Sequence, residues 1–198
     1  MKLLTLLLFF ILIFSSIASA ENSNDQNKDL LDALKALQQE QPPLITASST
    51  GDIARVKSLL KEGVNVESRS VISGTTPLME AAVKGYYEIC VLLIDSGADV
   101  SARDNHGGTP ILAAANSGKI EILKLLIKNG ADVNVRTDNG GTPLMTAAWR
   151  GNVDTVKLLI AHGAKVDAID DSGRSALSIA KSVNNERIIK LLKDAGAK

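Results

Sequence analysis

Apolar residues in this chain come in short helical clusters closed by glycines, and the stretch from residue 109 to 140 shows the pattern in full. Thr109-Pro110 can open a helix, because threonine can cap it and proline is tolerated in the first turn, where its missing N–H costs nothing. Ile111, Leu112, Ala113, Ala114 and Ala115 follow, and the alanines allow a neighbouring helix to approach closely. Gly118 then ends the helix by supplying a left-handed conformation. A second helix is predicted over 120–128, where Ile122, Leu123, Leu125, Leu126 and Ile127 make most of the circumference apolar. Such a helix must be covered on more than one side. After Gly130, the run Asp132-Val133-Asn134-Val135 begins an extended turn that leads through Asp138-Asn139-Gly140 into the next cluster.

The same pattern recurs at a fixed step. Pro77, Pro110 and Pro143 stand 33 residues apart, and Gly85, Gly118 and Gly151 keep that step, as do Gly97, Gly130, Gly163 and Gly196. A period of this size marks a stacked array of helix-turn-helix units, which makes open binding surface rather than an enclosed pocket. The units are 74–103, 104–136, 137–169 and 170–198, preceded by a degenerate unit over 43–70. The extra residue between the first two falls in Ser70-Val71-Ile72-Ser73.

Upstream of the array the pattern changes twice. Lys2, the apolar run Leu3 to Phe14 and the small residues Ala18-Ser19-Ala20 form the three parts of a secretory leader, with cleavage expected after Ala20. An uncleaved anchor is the alternative, and it would be the chain's only route to a membrane. Over 21–42, a polar stretch leads into a helix that Asn27 can cap and whose stripe is Leu30, Leu34 and Leu37, with Leu31 beside them. It either closes the front of the stack or docks a partner. The expected domains are therefore a leader over 1–20, the segment 21–42, and the repeats over 43–198.

Composition adds exclusions. The chain has 22 basic and 22 acidic residues, so bulk charge recruits neither nucleic acid nor membrane. Its single cysteine, Cys90, cannot form an internal disulfide and lies in an apolar helix, where it reads as a small core residue. The leader's form points to a bacterial periplasm, with secretion as the alternative.

The units Thr76-Pro77-Leu78…Ala81-Ala82…Gly85, Thr109-Pro110-Ile111…Ala114-Ala115…Gly118 and Thr142-Pro143-Leu144…Ala147-Ala148…Gly151 resemble ankyrin repeats, each followed by Gly-Ala-Asp-Val or a close variant. The resemblance covers residues 43–198 and implies an all-α solenoid of five stacked units with hairpin-like turns, preceded by an N-terminal helix. Met79, Leu112 and Met145 replace the family's usual histidine after Thr-Pro-Leu, so apolar packing must compensate for a lost hydrogen bond. In the last unit Ser175-Ala176-Leu177 stands for Thr-Pro-Leu and Asn184 for the first glycine, and with Arg187, Lys190 and Lys193 this reads as a polar C-terminal cap. Tyr87 matches Ile120 and Val153 and is expected to be buried, with Tyr86 exposed.

Catalytic chemistry has few candidates. His106 and His162 occupy different places in their units, no metal-ligand spacing is present, and the glycines lack a phosphate-loop lysine. No cofactor is expected. The resemblance instead implies partner binding by hairpin tips and inner-helix ends. Those positions are Val83, Lys84, Arg103, Asn105, His106, Asn116, Ser117, Arg136, Asp138, Asn139, Trp149, Arg150, Asp171, Ser172 and Arg174. Trp149, the only tryptophan, is the expected anchor, since large aromatics dominate interface energetics. Arg103 and Arg136, with Arg69 one unit earlier and Lys84 and Arg150 on the inner helix, would form a basic strip suited to a protein with an acidic patch, or a solvated edge neutralised by Asp104, Asp138 and Asp171. The expected function is noncovalent binding of an exported protein by a chain that is monomeric when unbound. It would act as adaptor, stabiliser or inhibitor, with toxin immunity as one form. The rival readings are a small-molecule or catalytic groove and a secreted effector acting in a host cell.

Overall fold

The computed structural model describes residues 41–198, in which ten helices follow one another as five antiparallel pairs. The inner helices are α1 (Pro43–Thr50), α3 (Pro77–Lys84), α5 (Pro110–Ser117), α7 (Pro143–Arg150) and α9 (Ala176–Ser182). The outer helices are α2 (Ile53–Lys61), α4 (Tyr87–Asp95), α6 (Ile120–Lys128), α8 (Val153–Ala161) and α10 (Glu186–Asp194). No strand forms among the described residues; Ile169 and Ser175 make one isolated antiparallel bridge. No helix among them is long and apolar enough to cross a membrane. The leader over 1–20 and the helix carrying Leu30, Leu34 and Leu37 lie outside the described residues.

Local chemistry opens each inner helix. The hydroxyls of Thr76 and Thr142 accept from the amides of Met79 and Met145 at 3.4 and 3.3 Å. In the last unit Ser175 and Ser178 cap reciprocally, at 3.2 and 2.9 Å. Thr109 departs from the expectation: its backbone is more extended, at φ −131, and its side chain caps nothing. Its buried hydroxyl has no hydrogen-bond partner. Asn184 takes the glycine's role in the final unit by adopting φ +54, a left-handed conformation that asparagine tolerates better than most residues.

Packing follows the period. Ala81, Ala82, Ala114, Ala115, Ala147, Ala148 and Ala180 are fully buried where inner helices meet. On the outer layer Leu93, Leu126, Leu159 and Leu192, one per unit, are equally buried, each stabilising by about 2 kcal/mol. Met79, Leu112 and Met145 are buried as well, so apolar side chains do fill the histidine's place. Cys90 shares the register of Leu123 and Val156 in this core, and burial pushes its thiol up to about 12.

The tyrosines reverse their expected places. Tyr87 is 48% exposed, whereas Tyr86 packs against the core. The Tyr86 ring lies over Gly51, where a Cβ would come within 2.7 Å of its Cζ. Residue 86 precedes the outer helix and reaches back onto the previous unit's terminating glycine, as Lys119 does over Gly85. The first helical residue, Tyr87, is thereby turned outward.

Candidate functional site

The inner-helix ends and the turns between units share one side of the stack. Three backbone hydrogen bonds hold successive turns in register: Asn105 N–H to Ser73 O at 3.0 Å, Asp138 N–H to His106 O at 3.1 Å, and Asp171 N–H to Asn139 O at 3.1 Å. Each tip thus has a fixed height relative to the next. Arg103, Asn105, His106, Arg136, Asp138, Asn139, Asp171, Ser172 and Arg174 are all exposed there. Of the inner-helix candidates, Lys84, Trp149 and Arg150 are exposed, and Val83, Asn116 and Ser117 are half-buried.

The arginines form a chain of inter-unit bonds. Arg69 donates to Arg103 O at 2.6 Å, Arg103 to Arg136 O at 3.0 Å, and Arg136 to Ile169 O at 2.8 Å. Arg103 also pairs with Asp138 at 3.2 Å, and Arg136 with Asp171 at 3.8 Å. Glycine makes room for these pairs: a Cβ on Gly107 (φ +72) would strike both the Arg103 guanidinium and the Asp138 carboxylate, and Gly140 stands in the same relation to Arg136 and Asp171. Asp104 does not join them; its Oδ1 accepts from the amides of His106 and Gly108, closing its own turn. Two of the three carboxylates named for this edge therefore neutralise it.

Next to Trp149, Arg150 has no carboxylate partner among the described residues; its Nε donates to the neutral Asn116 side chain at 2.7 Å. Trp149 itself is 58% exposed and lines a groove of about 570 Å³. Met145 and Thr146 on α7 and Ser178, Ile179 and Ser182 on α9 line it too, with Asp170 and Arg174 in the intervening turn. The hydroxyls of Thr146, Ser178 and Ser182 donate to carbonyls in or just before their own helices. They therefore face the groove only as acceptors.

Asp170 organises that turn. It is buried, and its Oδ1 accepts from the amides of Ser172 and Arg174 at 2.9 and 2.8 Å, while its Oδ2 accepts from the Arg174 guanidinium at 2.8 Å. The Arg174 amide first, then its side chain and the Ser172 amide, hold the carboxyl below the usual aspartate range. Arg174 is thus fixed against the groove instead of swinging freely. His106 and His162 lie apart: His106 stands in a turn, and His162 Nδ1 lies 2.8 Å from Leu158 O at the end of α8. No group of three or more His, Cys, Asp or Glu among the described residues could hold a metal ion.

Sequence reasoning missed several groove and edge residues. Met145, Ile179 and Asp170 look like ordinary core or turn positions until the helices are stacked. Val71 and Ile72, 50% and 67% exposed, were legible in principle, because the corresponding turns carry Asn105-His106, Asp138-Asn139 and Asp171-Ser172. Ile169, 54% exposed, stands in the register of Arg103 and Arg136.

The family model described as ankyrin repeats (3 copies) matches the chain over residues 12–104 and again over 105–198. Among curated proteins, the chain is 49% identical over 55 residues to the mouse ankyrin repeat, SAM and basic leucine zipper domain-containing protein 1, covering 28% of this chain and 11% of that protein. It is 48% identical over 59 residues to the human ankyrin repeat and KH domain-containing protein 1, covering 30% of this chain and 2% of the other. With the Drosophila ankyrin repeat and KH domain-containing protein mask it shares 53% identity over 47 residues, 24% of this chain and 1% of that one. The chain thus spans about a tenth or less of the length of these relatives, and what they share with it is the repeat. With the matched segments covering nearly the whole sequence, this chain belongs to the ankyrin repeat family.

Proposed function

We propose that this chain is a noncovalent protein-binding module of an exported compartment, a periplasm in the first instance. It holds one specific partner as adaptor, stabiliser or inhibitor, toxin immunity being one form. The observation that carries the reading is Trp149, a large aromatic left 58% exposed beside a 570 Å³ groove whose floor is apolar and whose turns are fixed by hydrogen bonds. A rigid surface loses little conformational entropy on binding, so an aromatic placed there converts buried area into affinity efficiently. Export is supported by the pattern of residues 1–20, and protein partners by the repeat family itself.

Within the expected basic strip, the charge offered to a partner is the one on the inner helix. Arg103 and Arg136 are occupied by Asp138 and Asp171, so an acidic partner is met by Arg150, whose charge has no carboxylate opposite it among the described residues. Such a contact steers encounter and weakens with salt.

The test begins with fractionation of cells expressing the full chain, followed by affinity purification and mass spectrometry. Trp149→Ala is then titrated against the recovered partner. Affinity falls by about 2 kcal/mol or more, roughly 30-fold, while folding stability changes by less than about 0.5 kcal/mol. Unchanged affinity removes the groove from the interface. A chain confined to the cytoplasm refutes the exported role.

A further inference from the structure

Glu67, Ser101, Asn134 and Asp167 hold one register, each a few residues beyond an outer helix. Three of them place an oxygen on a backbone amide of the following unit: Glu67 on Asp99 at 2.9 Å, Asn134 on Lys165 at 2.8 Å, and Asp167 on Lys198 at 3.1 Å. Between the second and third units the register falls to Ser101, and the corresponding amide, that of Asp132, has no acceptor among the described residues. A cleft of about 250 Å³ opens there, with Val100, Ile111 and Val135 as its apolar wall. Thr109 borders it too, only 3% exposed, and its hydroxyl has no hydrogen-bond partner among the described residues. The corresponding hydroxyls of Thr76 and Thr142 cap their helices. A buried hydroxyl left unpaired is destabilising, so a polar group that reaches it gains more there than on open surface. Both signs of charge border the same cleft. Arg103 bonds to Arg136 O and to Asp138 through Nη2 alone, which leaves Nε and Nη1 to donate. Asp132 accepts from the Asn134 amide through Oδ1, which leaves Oδ2 to accept.

We infer that this cleft binds a free α-amino acid with a small aliphatic side chain. Its carboxylate takes the place that an oxygen of Glu67, Asn134 or Asp167 fills at the other junctions, accepting from the Asp132 amide, the Thr109 hydroxyl and the Arg103 guanidinium. Its ammonium faces the Asp132 carboxylate, and its side chain lies on Val100, Ile111 and Val135. The size agrees: a cavity of about 150 Å³ holds benzene, so 250 Å³ has room for a molecule of valine's bulk. A simple carboxylate fits less well, because the Asp132 charge opposes an anion that brings no cation of its own. A simple amine leaves the Asp132 amide and the Thr109 hydroxyl unfilled. The cleft shares no lining residue with the groove at Trp149, so the two sites stand or fall separately.

The experiment is a titration of the isotope-labelled full chain with L-valine, followed through its backbone amide signals by NMR. Saturable shifts are expected at the Asp132 and Thr109 amides, with a Kd of about 1 mM or tighter. Ser101→Asn, whose longer side chain puts its own oxygen on the Asp132 amide, should abolish them while circular dichroism shows the helices intact. Thr109→Val keeps the shape of the side chain, removes the hydroxyl, and should weaken binding about tenfold. Isovalerate, which is valine without its ammonium, and isobutylamine, which is valine without its carboxylate, should each bind about tenfold more weakly or worse. The absence of saturable shifts at these amides up to about 20 mM valine overturns the site. So do shifts that persist undiminished in Ser101→Asn. Thr109→Val binding valine as tightly as the wild type removes the hydroxyl from the site and with it the reason to place a ligand there. Either analogue binding as tightly as valine overturns the assignment to an amino acid.

Discussion

The inner and outer helices keep the same period and carry opposite chemistry. Inner helices meet through alanines, pack closely on both neighbours, and leave open only the side that holds Trp149 and the turns. Outer helices meet through leucines and turn their other side to water with pairs such as Lys57–Glu88 at 3.2 Å and Lys124–Glu121 at 2.9 Å. Exposed pairs of this kind contribute little to stability. The outer layer therefore supplies the core and a replaceable surface, and the inner layer supplies spacing and a surface with content. What distinguishes them is which exposed positions carry side chains that water would not select.

Damaging each layer once separates their roles. Leu126 is fully buried on the outer layer, and Leu126→Ala should cost about 3 kcal/mol through lost burial and the cavity left behind, read as a lower midpoint in urea unfolding. Its effect on partner affinity, measured where the variant is still folded, should be small. Trp149→Ala should show the reverse. If Leu126→Ala weakens binding as strongly as Trp149→Ala does, the layers are not separable and the groove is not a local site.

Much of this division could be read from the residues. Glycine spacing located every helix end, because left-handed residues are needed there, and even the exception, Asn184, marked its own place. Trp149 stood out because it replaces Val83 and Asn116 at a repeated position. The arginines could be located but not interpreted: sequence aligns Arg103 with Arg136, yet their bonds run between units, to carbonyls and carboxylates that only stacking brings into reach. Tyr86 and Tyr87 failed for a similar reason. The ring that covers Gly51 belongs to another unit, so counting positions within one unit cannot show it.

A second test concerns the turn that borders the groove. Asp170 titrates below its ordinary value of 3.8, since amides and Arg174 favour its charged form. A depressed carboxyl contributes stability that is fully present above its unfolded pKa and is lost as pH falls through the folded one. Stability of the last unit should therefore be level on the alkaline side of that window and decline below 3.8 as Asp170 becomes protonated. Hydrogen exchange at the Ser172 and Arg174 amides, which the carboxylate holds, follows the local change. Asp170→Asn should flatten this decline while loosening Arg174 against the groove. A pH profile identical in wild type and Asp170→Asn would show that the turn is held by something other than this carboxylate.

The outer side also offers a junction that can be strengthened. At three junctions a side chain beyond the outer helix accepts from the next unit's backbone: Glu67 from Asp99 N–H at 2.9 Å, Asn134 from Lys165 N–H at 2.8 Å, and Asp167 from Lys198 N–H at 3.1 Å. Ser101 holds that register between the second and third units and is too short to reach Asp132. A cleft of about 250 Å³ lies there instead, lined by Ser101 and Asp132 and by Thr109, whose hydroxyl is buried without a partner. The local turn already suits asparagine, for Ser101 N–H donates to Asp99 Oδ1 at 2.8 Å as Asn134 N–H does to Asp132 Oδ1. Ser101→Asn can copy the Asn134 bridge, which also donates to Gly163 O at 3.1 Å. The gain, after the cost of ordering the longer side chain, should be about 1 kcal/mol, seen as a higher urea midpoint with an unchanged slope. Partner affinity should not move, because the cleft lies outside the groove that Trp149 lines. A stabilised variant that binds differently would mean that the junction sets the spacing of the inner helices, and the two layers would then be coupled through it.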